Sequence, residues 1–102
     1  MIKIIYTLTS KTPFPDASFE PKFSDENVTQ EEYVSWCFAN GLVGARVNML
    51  SPTVKECIAS WSSQELLDAF DVKFPHHQKL LDDFYAAREA EGVTVVRTVT
   101  VV

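Results

Sequence analysis

Glycine, cysteine and long apolar runs are all scarce in this chain of 102 residues. Three glycines and five prolines are too few for a low-complexity sequence, and an apolar content of 46% is enough to build a packed core. With no repeat and no linker, residues 1–102 are expected to form a single domain. The only cysteines, Cys37 and Cys57, provide neither a disulfide framework nor paired zinc ligands, and their apolar neighbours predict two buried thiols.

No segment has the pattern of a membrane span or of an export signal. The longest run without charge, residues 33–45, is too short for a spanning helix. The first ten residues carry one lysine and lack the apolar core of a signal peptide. These absences predict a cytoplasmic protein without a membrane partner.

Acidic residues outnumber basic ones by fourteen to nine, which gives a net charge of −5. A polyanion is repelled by such a chain at long range, so we expect no direct binding to nucleic acid. Six of the carboxylates and a single lysine lie between residues 16 and 32. This acidic segment is either a solvated face or a docking surface for a basic protein.

Three phenylalanines lie in or beside the acidic segment, within an irregular stretch at residues 10–27. An exposed phenylalanine is unfavourable by about 2 kcal/mol, so these rings are expected to pack on something. Either the stretch folds back as a lid over its own core, or the rings anchor a partner inside a rim of carboxylates. The second alternative predicts a partner-binding set formed by Phe14, Asp16, Phe19, Glu20, Phe23, Asp25, Glu26, Glu31 and Glu32.

Periodicity and capping signals predict an α+β fold. The predicted elements are a strand at 2–9, the irregular loop at 10–27, a helix at 29–40, a short strand at 42–50, helices at 52–61, 62–70 and 75–91, and a strand at 93–102. Thr29 and Glu32 form a capping box at the start of the first helix, and Gly41 follows its end. We expect the first and last strands to pair in a two- or three-stranded sheet, covered on one face by about four helices.

The helix predicted at 52–61 depends on spacing. Apolar residues recur there at i, i+3, i+4 and i+7, namely at Val54, Cys57, Ile58 and Trp61. A proline just after a serine is typical of a first helical turn. The pattern therefore favours a short amphipathic helix.

Residues that could carry chemistry are few. The sequence lacks a glycine-rich phosphate loop and the usual hydrolase and zinc motifs. His76 and His77 are adjacent, so on a helix they point about 100° apart, and we expect both to face solvent. Arg97 interrupts a valine-rich strand and is expected to snorkel or to pair with a charge across the sheet. We therefore predict no catalytic residue, no metal ligand, no cofactor and no enzyme activity.

Three functions are consistent with these features. The leading one is a non-catalytic acidic protein-binding module, an inhibitor or immunity-type protein of the kind that viruses and mobile elements encode. It would occupy a basic surface of a nucleic-acid-handling partner. The alternatives are a structural or assembly subunit that acts as a homo-oligomer and a small enzyme with a pocket under the 10–27 loop. A homodimer through the sheet is also expected, because Ile5, Val96 and Val102 alternate away from the face that the helices should cover.

Overall fold

The computed structural model describes residues 1–22 and 28–102, and it contains four strands and three helices within those ranges. In chain order they are β1 (Ile2–Thr9), α1 (Gln30–Ala39), β2 (Leu42–Ser51), β3 (Val54–Trp61), α2 (Gln64–Lys73), α3 (His77–Ala90) and β4 (Thr94–Val101). The α+β class is confirmed. The sheet has one strand more, and the helical layer one helix fewer, than the sequence pattern predicts.

All neighbouring strands of the sheet are antiparallel, in the order β2-β3-β1-β4. The predicted pairing of the first and last strands is confirmed, because Tyr6 of β1 lies opposite Arg97 of β4 and also opposite Cys57 of β3. This order of strands and helices is that of the split β-α-β, or ferredoxin-like, arrangement, with two helices before the last strand.

The helix predicted at 52–61 is wrong, because this segment is strand β3. It forms a hairpin with β2 and lies between β2 and β1 in the sheet. Two residues hide the alternation that is typical of a strand. Lys55 is charged but buried among the inward-facing residues, and Ile58 is apolar and buried on the opposite face. The proline after Ser51 occupies the tight turn of the hairpin and does not begin a helix.

The capping signals of the other helices are largely reproduced. Thr29 Oγ1 accepts a hydrogen bond from the amide of Glu32, and the Glu32 carboxylate accepts one from the amide of Thr29, so the capping box is confirmed. Gly41 has a φ of 112° after α1, where a side chain would also collide with Leu66. Helix α2 is capped by Ser63 and continues to Lys73, through residues that were expected to connect two helices.

The two faces of the sheet differ in what covers them. Alternate β1 residues point to the face on which the helices pack, and the opposite face holds Ile5, Ile58 and Val96. Val96 is 54% exposed there. The buried core between sheet and helices consists of Ile2, Ile4, Tyr6, Leu8, Tyr33, Cys37, Cys57, Trp61, Phe70, Phe74, Leu81 and Val93.

None of the helices in the described ranges is long and apolar enough to cross a membrane.

Candidate functional site

The described part of the long loop, residues 10–22, packs on its own protein. It contains no helix or strand, as expected. The Phe14 amide donates to the carbonyl of Pro52 at 2.9 Å, which ties the loop to the β2–β3 turn. The side chains of Phe14 and Phe19 are partly buried against the core. This packing favours the lid alternative for these two rings, whereas the third predicted anchor, Phe23, lies outside the described residues.

A group of three charged residues, two of them buried and the third partly exposed, fixes the loop to the sheet and to α3, and we call it the ion cluster. Glu20 from the loop accepts from Lys55 of β3 at 2.9 Å and lies 3.0 Å from Nε of Arg88 on α3. Lys55 is only 1% exposed, and its ammonium also donates to the carbonyl of Ser18 at 3.0 Å. A buried ion pair is favourable only when both charges are well paired, which these contacts achieve.

The ion cluster is also bounded by the ring of Phe14, which lies 4.7 Å from the Lys55 ammonium in a cation–π arrangement. A small cleft of about 210 Å³ opens beside the cluster between the loop and α3. Glu20, Lys55 and Arg88 on its walls are already paired with one another. We therefore assign the ion cluster a structural role: it holds the loop against β3 and α3.

The acidic residues of the predicted partner-binding set do not share one environment. Glu20 is buried in the ion cluster and faces inward. Asp16 is exposed on the loop, where hydrogen bonds first from the Ser18 hydroxyl and then from the Ser18 amide, the latter at 2.9 Å, lower the pKa of its carboxyl. Glu31 and Glu32 are exposed in the first turn of α1. Their docking role stays a prediction, and the predicted Asp25 and Glu26 lie outside the described residues.

A second cavity, larger than the cleft beside the ion cluster, lies between the inner face of the sheet and the helices, and we call it the inner cleft. It has a volume of about 470 Å³. The sheet provides its floor, α1 and α2 provide opposite walls, and the loop closes part of it. Residues that line it include Tyr6, Ala45, Ala59 and Trp61 on the floor, Tyr33, Cys37 and Phe38 from α1, Leu67 and Phe70 from α2, and Phe19 and Pro21 from the loop.

Packed aromatic rings form or support much of the wall of the inner cleft. Phe70 is central to this packing, with the rings of Trp61 and His77 at 5.4 and 4.5 Å from its centroid. Phe74 packs against Tyr33 at 4.2 Å behind the wall. Tilted and edge-on contacts of this kind each stabilise by roughly 0.5–1.5 kcal/mol beyond the area that they bury. The cleft is therefore bounded by rings that already have fixed neighbours.

One end of the inner cleft is polar. Arg97 projects into it from β4, Tyr6 lies opposite Arg97 on β1, and His77 and Asp71 line it from the helices. In the described parts of the chain, Arg97 forms no ion pair with a carboxylate. Arg97 is exposed to solvent at this end of the cleft, and its positive charge has no carboxylate partner among the described residues.

The titratable groups at this end are mostly neutral. Burial raises the pKa of the Tyr6 phenol, and the adjacent Arg97 only partly offsets that rise. Burial raises the pKa of Tyr85, next to Tyr6, to about 12. Burial also lowers the pKa of His77, although Asp71 opposes the change. The imidazole of His77 is therefore uncharged at neutral pH.

The inner cleft contains residues whose position the sequence did not reveal. His77 was expected in solvent, but it is partly buried against Phe70, whereas His76 is exposed as expected. Arg97 does lie opposite a strand residue, but that residue is Tyr6 and carries no charge. Only the register of the β1–β4 pair brings Arg97 to the cleft. Two residues of the sequence point to this site, namely the tyrosine of the first strand, Tyr6, and the arginine of the last, Arg97.

Both cysteines are buried and neither forms a disulfide bond, as predicted. Cys37 lines the inner cleft, and burial raises its pKa to about 11, so it is a thiol and not a thiolate. Burial also raises the pKa of Cys57, whose sulfur accepts a hydrogen bond from the Glu20 amide at 3.3 Å. Across residues 1–22 and 28–102, no group of three or more His, Cys, Asp or Glu side chains could hold a metal ion.

No family model matches this chain, and its comparison with curated proteins and with solved structures finds no similar protein. A fold of this kind does not define an activity, because unrelated functions share it. The function is therefore inferred from the geometry and charge of the inner cleft.

Proposed function

We propose that this protein binds a small, largely apolar molecule in the inner cleft. The observation that carries the proposal is the cavity of about 470 Å³ between sheet and helices, with aromatic walls and polar groups at one end. Ligand sites in proteins typically enclose about 300–1,000 Å³ and combine apolar walls with a few polar groups that orient the ligand. The inner cleft has both properties.

The loop supports this function because it forms part of the wall. Phe19 and Pro21 line the inner cleft, and Glu20 between them points the other way, into the ion cluster. Phe19 and Pro21 therefore form part of the cleft wall, and Glu20 between them holds the loop against the sheet. The loop could therefore cover a ligand in the inner cleft while the strands of the sheet stay paired.

Binding without a reaction is the form of the proposal. The strongest nucleophile on the walls would be Cys37, but its pKa of about 11 keeps it protonated at neutral pH. The alternative of a small enzyme requires a pocket under the 10–27 loop, and residues of that loop line both the small cleft beside the ion cluster and the inner cleft. His77 is neutral and is the residue best suited to act as a base, so a reaction in the cleft would depend on it.

The test is to fill the cleft with a side chain. N-Phenyl-1-naphthylamine, an uncharged fluorescent probe, should bind to the protein, and Ala59→Phe should weaken that binding about tenfold or more because the new ring occupies the floor. Ser60→Phe is the matched control, since the neighbouring residue of the same strand points to the opposite face. It should bind the probe as the unmodified protein does.

A change that unfolds the protein would mimic a loss of binding, so melting temperatures are measured for both variants. Where Ala59→Phe melts early, Ala45→Phe repeats the test from the exposed edge strand of the same floor. Failure of the unmodified protein to bind the probe contradicts the proposal. Equal binding by folded cleft-filling variants and by Ser60→Phe contradicts it as well.

A second proposal retains the acidic protein-binding module, an inhibitor or immunity-type protein of a nucleic-acid-handling partner. It is supported by the exposed carboxylates of Asp16, Glu31 and Glu32. Asp16→Lys with Glu31→Lys leaves the capping box intact and should slow association with a captured basic partner, because exposed charges steer the encounter. If the double variant associates with the partner as fast as the unmodified protein does, at low and at high salt alike, this proposal is contradicted.

A further inference from the structure

The inner cleft holds a positive charge that the described protein does not neutralise. Lys55 and Arg88 both have a carboxylate within ion-pair distance, but within the described ranges Arg97 has none. Arg97 lies on the inner face of β4, opposite Tyr6, and lines the cleft. A guanidinium presents several N–H donors in a planar fork that matches the two oxygens of a carboxylate.

We propose that the ligand of the inner cleft is a flat aromatic acid whose single carboxylate binds Arg97. This inference rests on the proposed function and specifies the chemical class of the ligand. The aromatic part lies over Trp61 on the floor, beside Phe70 of α2 and the residues of α1 that line the cleft. The carboxylate lies at the polar end, where Arg97 supplies the positive charge.

The other groups at this end limit the ligand to one negative charge. Tyr6 and His77 are neutral at physiological pH and add no positive charge. Asp71 lines the same end from α2, on a different wall from β4, and it would repel a second anionic group. A single carboxylate next to the sheet is the arrangement that these charges favour.

The charge preference is measured with a pair of competitors of nearly equal shape. 1-Naphthoate and its uncharged amide, 1-naphthamide, each displace N-phenyl-1-naphthylamine, and their two dissociation constants give a ratio that isolates the carboxylate. We expect the acid to bind more tightly in the unmodified protein. Arg97→Gln should weaken the acid about fivefold or more and leave the amide nearly unchanged, as for a partly exposed charged hydrogen bond.

Arg46→Gln is the matched control, because it removes the same charge from the opposite face of the sheet, where Arg46 lies beside Ile58. It should leave the ratio unchanged, whereas Asp71→Asn should strengthen the acid. The inference is overturned when the probe and the amide bind but Arg97→Gln leaves the affinity for the acid unchanged, or when only the amide binds. That result leaves the proposed function intact, because the proposed function is contradicted only by the absence of probe binding or by equal probe binding in the folded cleft-filling variants and Ser60→Phe.

Discussion

Glu20 joins the loop both to strand β3 and to helix α3. Its carboxylate is shared by two cations, Lys55 at 2.9 Å and Arg88 at 3.0 Å. Glu20→Gln removes the negative charge without changing the shape of the side chain. Lys55 then keeps its charge in a position that is 1% exposed, with the Ser18 carbonyl and the distant Asp16 as its remaining partners.

The expected loss follows from this burial. Breaking a buried ion pair by removing one partner costs about 3–5 kcal/mol, and glutamine recovers part of this because its amide oxygen still accepts a hydrogen bond. We therefore expect Glu20→Gln to lower the free energy of unfolding by about 2–3 kcal/mol, out of the roughly 5–15 kcal/mol that is usual for a domain. Lys55→Met should cost less, about 1 kcal/mol, because Glu20 keeps Arg88 and the methionine fills the space of the lysine stem.

Urea denaturation followed by the fluorescence of Trp36 and Trp61 measures these free energies. Asp83→Asn is the control, since Asp83 makes an ion pair with Lys79 at the same distance of 2.9 Å but both partners are exposed. That variant should unfold like the unmodified protein. The reasoning is refuted if Glu20→Gln destabilises no more than Asp83→Asn, or if Lys55→Met costs more than Glu20→Gln.

Three further predictions concern other parts of the molecule. Thiol reagents should label neither Cys37 nor Cys57 in the native protein and both in urea, because burial raises their pKa values, and rapid labelling of the native protein would contradict this. Burial lowers the pKa of His77, so protonation favours the unfolded chain. The melting temperature should therefore fall as the pH drops through about 6.5 and below. His77→Gln should weaken this dependence and His76→Gln should not, and parallel curves for all three proteins would disprove the cause. We also predict a homodimer through the uncovered sheet face, so light scattering should give about twice 11.5 kDa and Val96→Glu should halve that mass, whereas a monomer at micromolar concentration would exclude the dimer.

Local signals in the sequence were sufficient for several elements of the fold. The alternation of residues 2–9, the capping box at Thr29 and the β-branched run at 93–102 each lie within a few residues, and each gave the correct element. The pairing of the two end strands was also predicted correctly, although within Thr94–Val101 only Val95 is even partly buried. Such features depend on short-range geometry that the chain cannot avoid.

Strand β3 could not be identified in this way, because its pattern reflects both faces of the sheet. Ile58 is buried on one face and Cys57 on the other, which produces the spacing of a helix. Lys55 occupies an inward position only because Glu20 and the Ser18 carbonyl receive its charge there. A rule that assigns lysine to solvent fails when its partners come from a distant loop.

The candidate sites show the same division. The sequence by itself determined the acidic, phenylalanine-bearing loop, the two buried thiols and a lone arginine in a valine-rich strand. Tertiary structure decided what these residues do, since Glu20 meets Lys55 across 35 positions and Arg88 across 68. It also placed Arg97 opposite Tyr6 at the end of the inner cleft. The physical reason is that charge pairing and cavity formation depend on distances between segments far apart in the chain, which residue spacing along the chain does not specify.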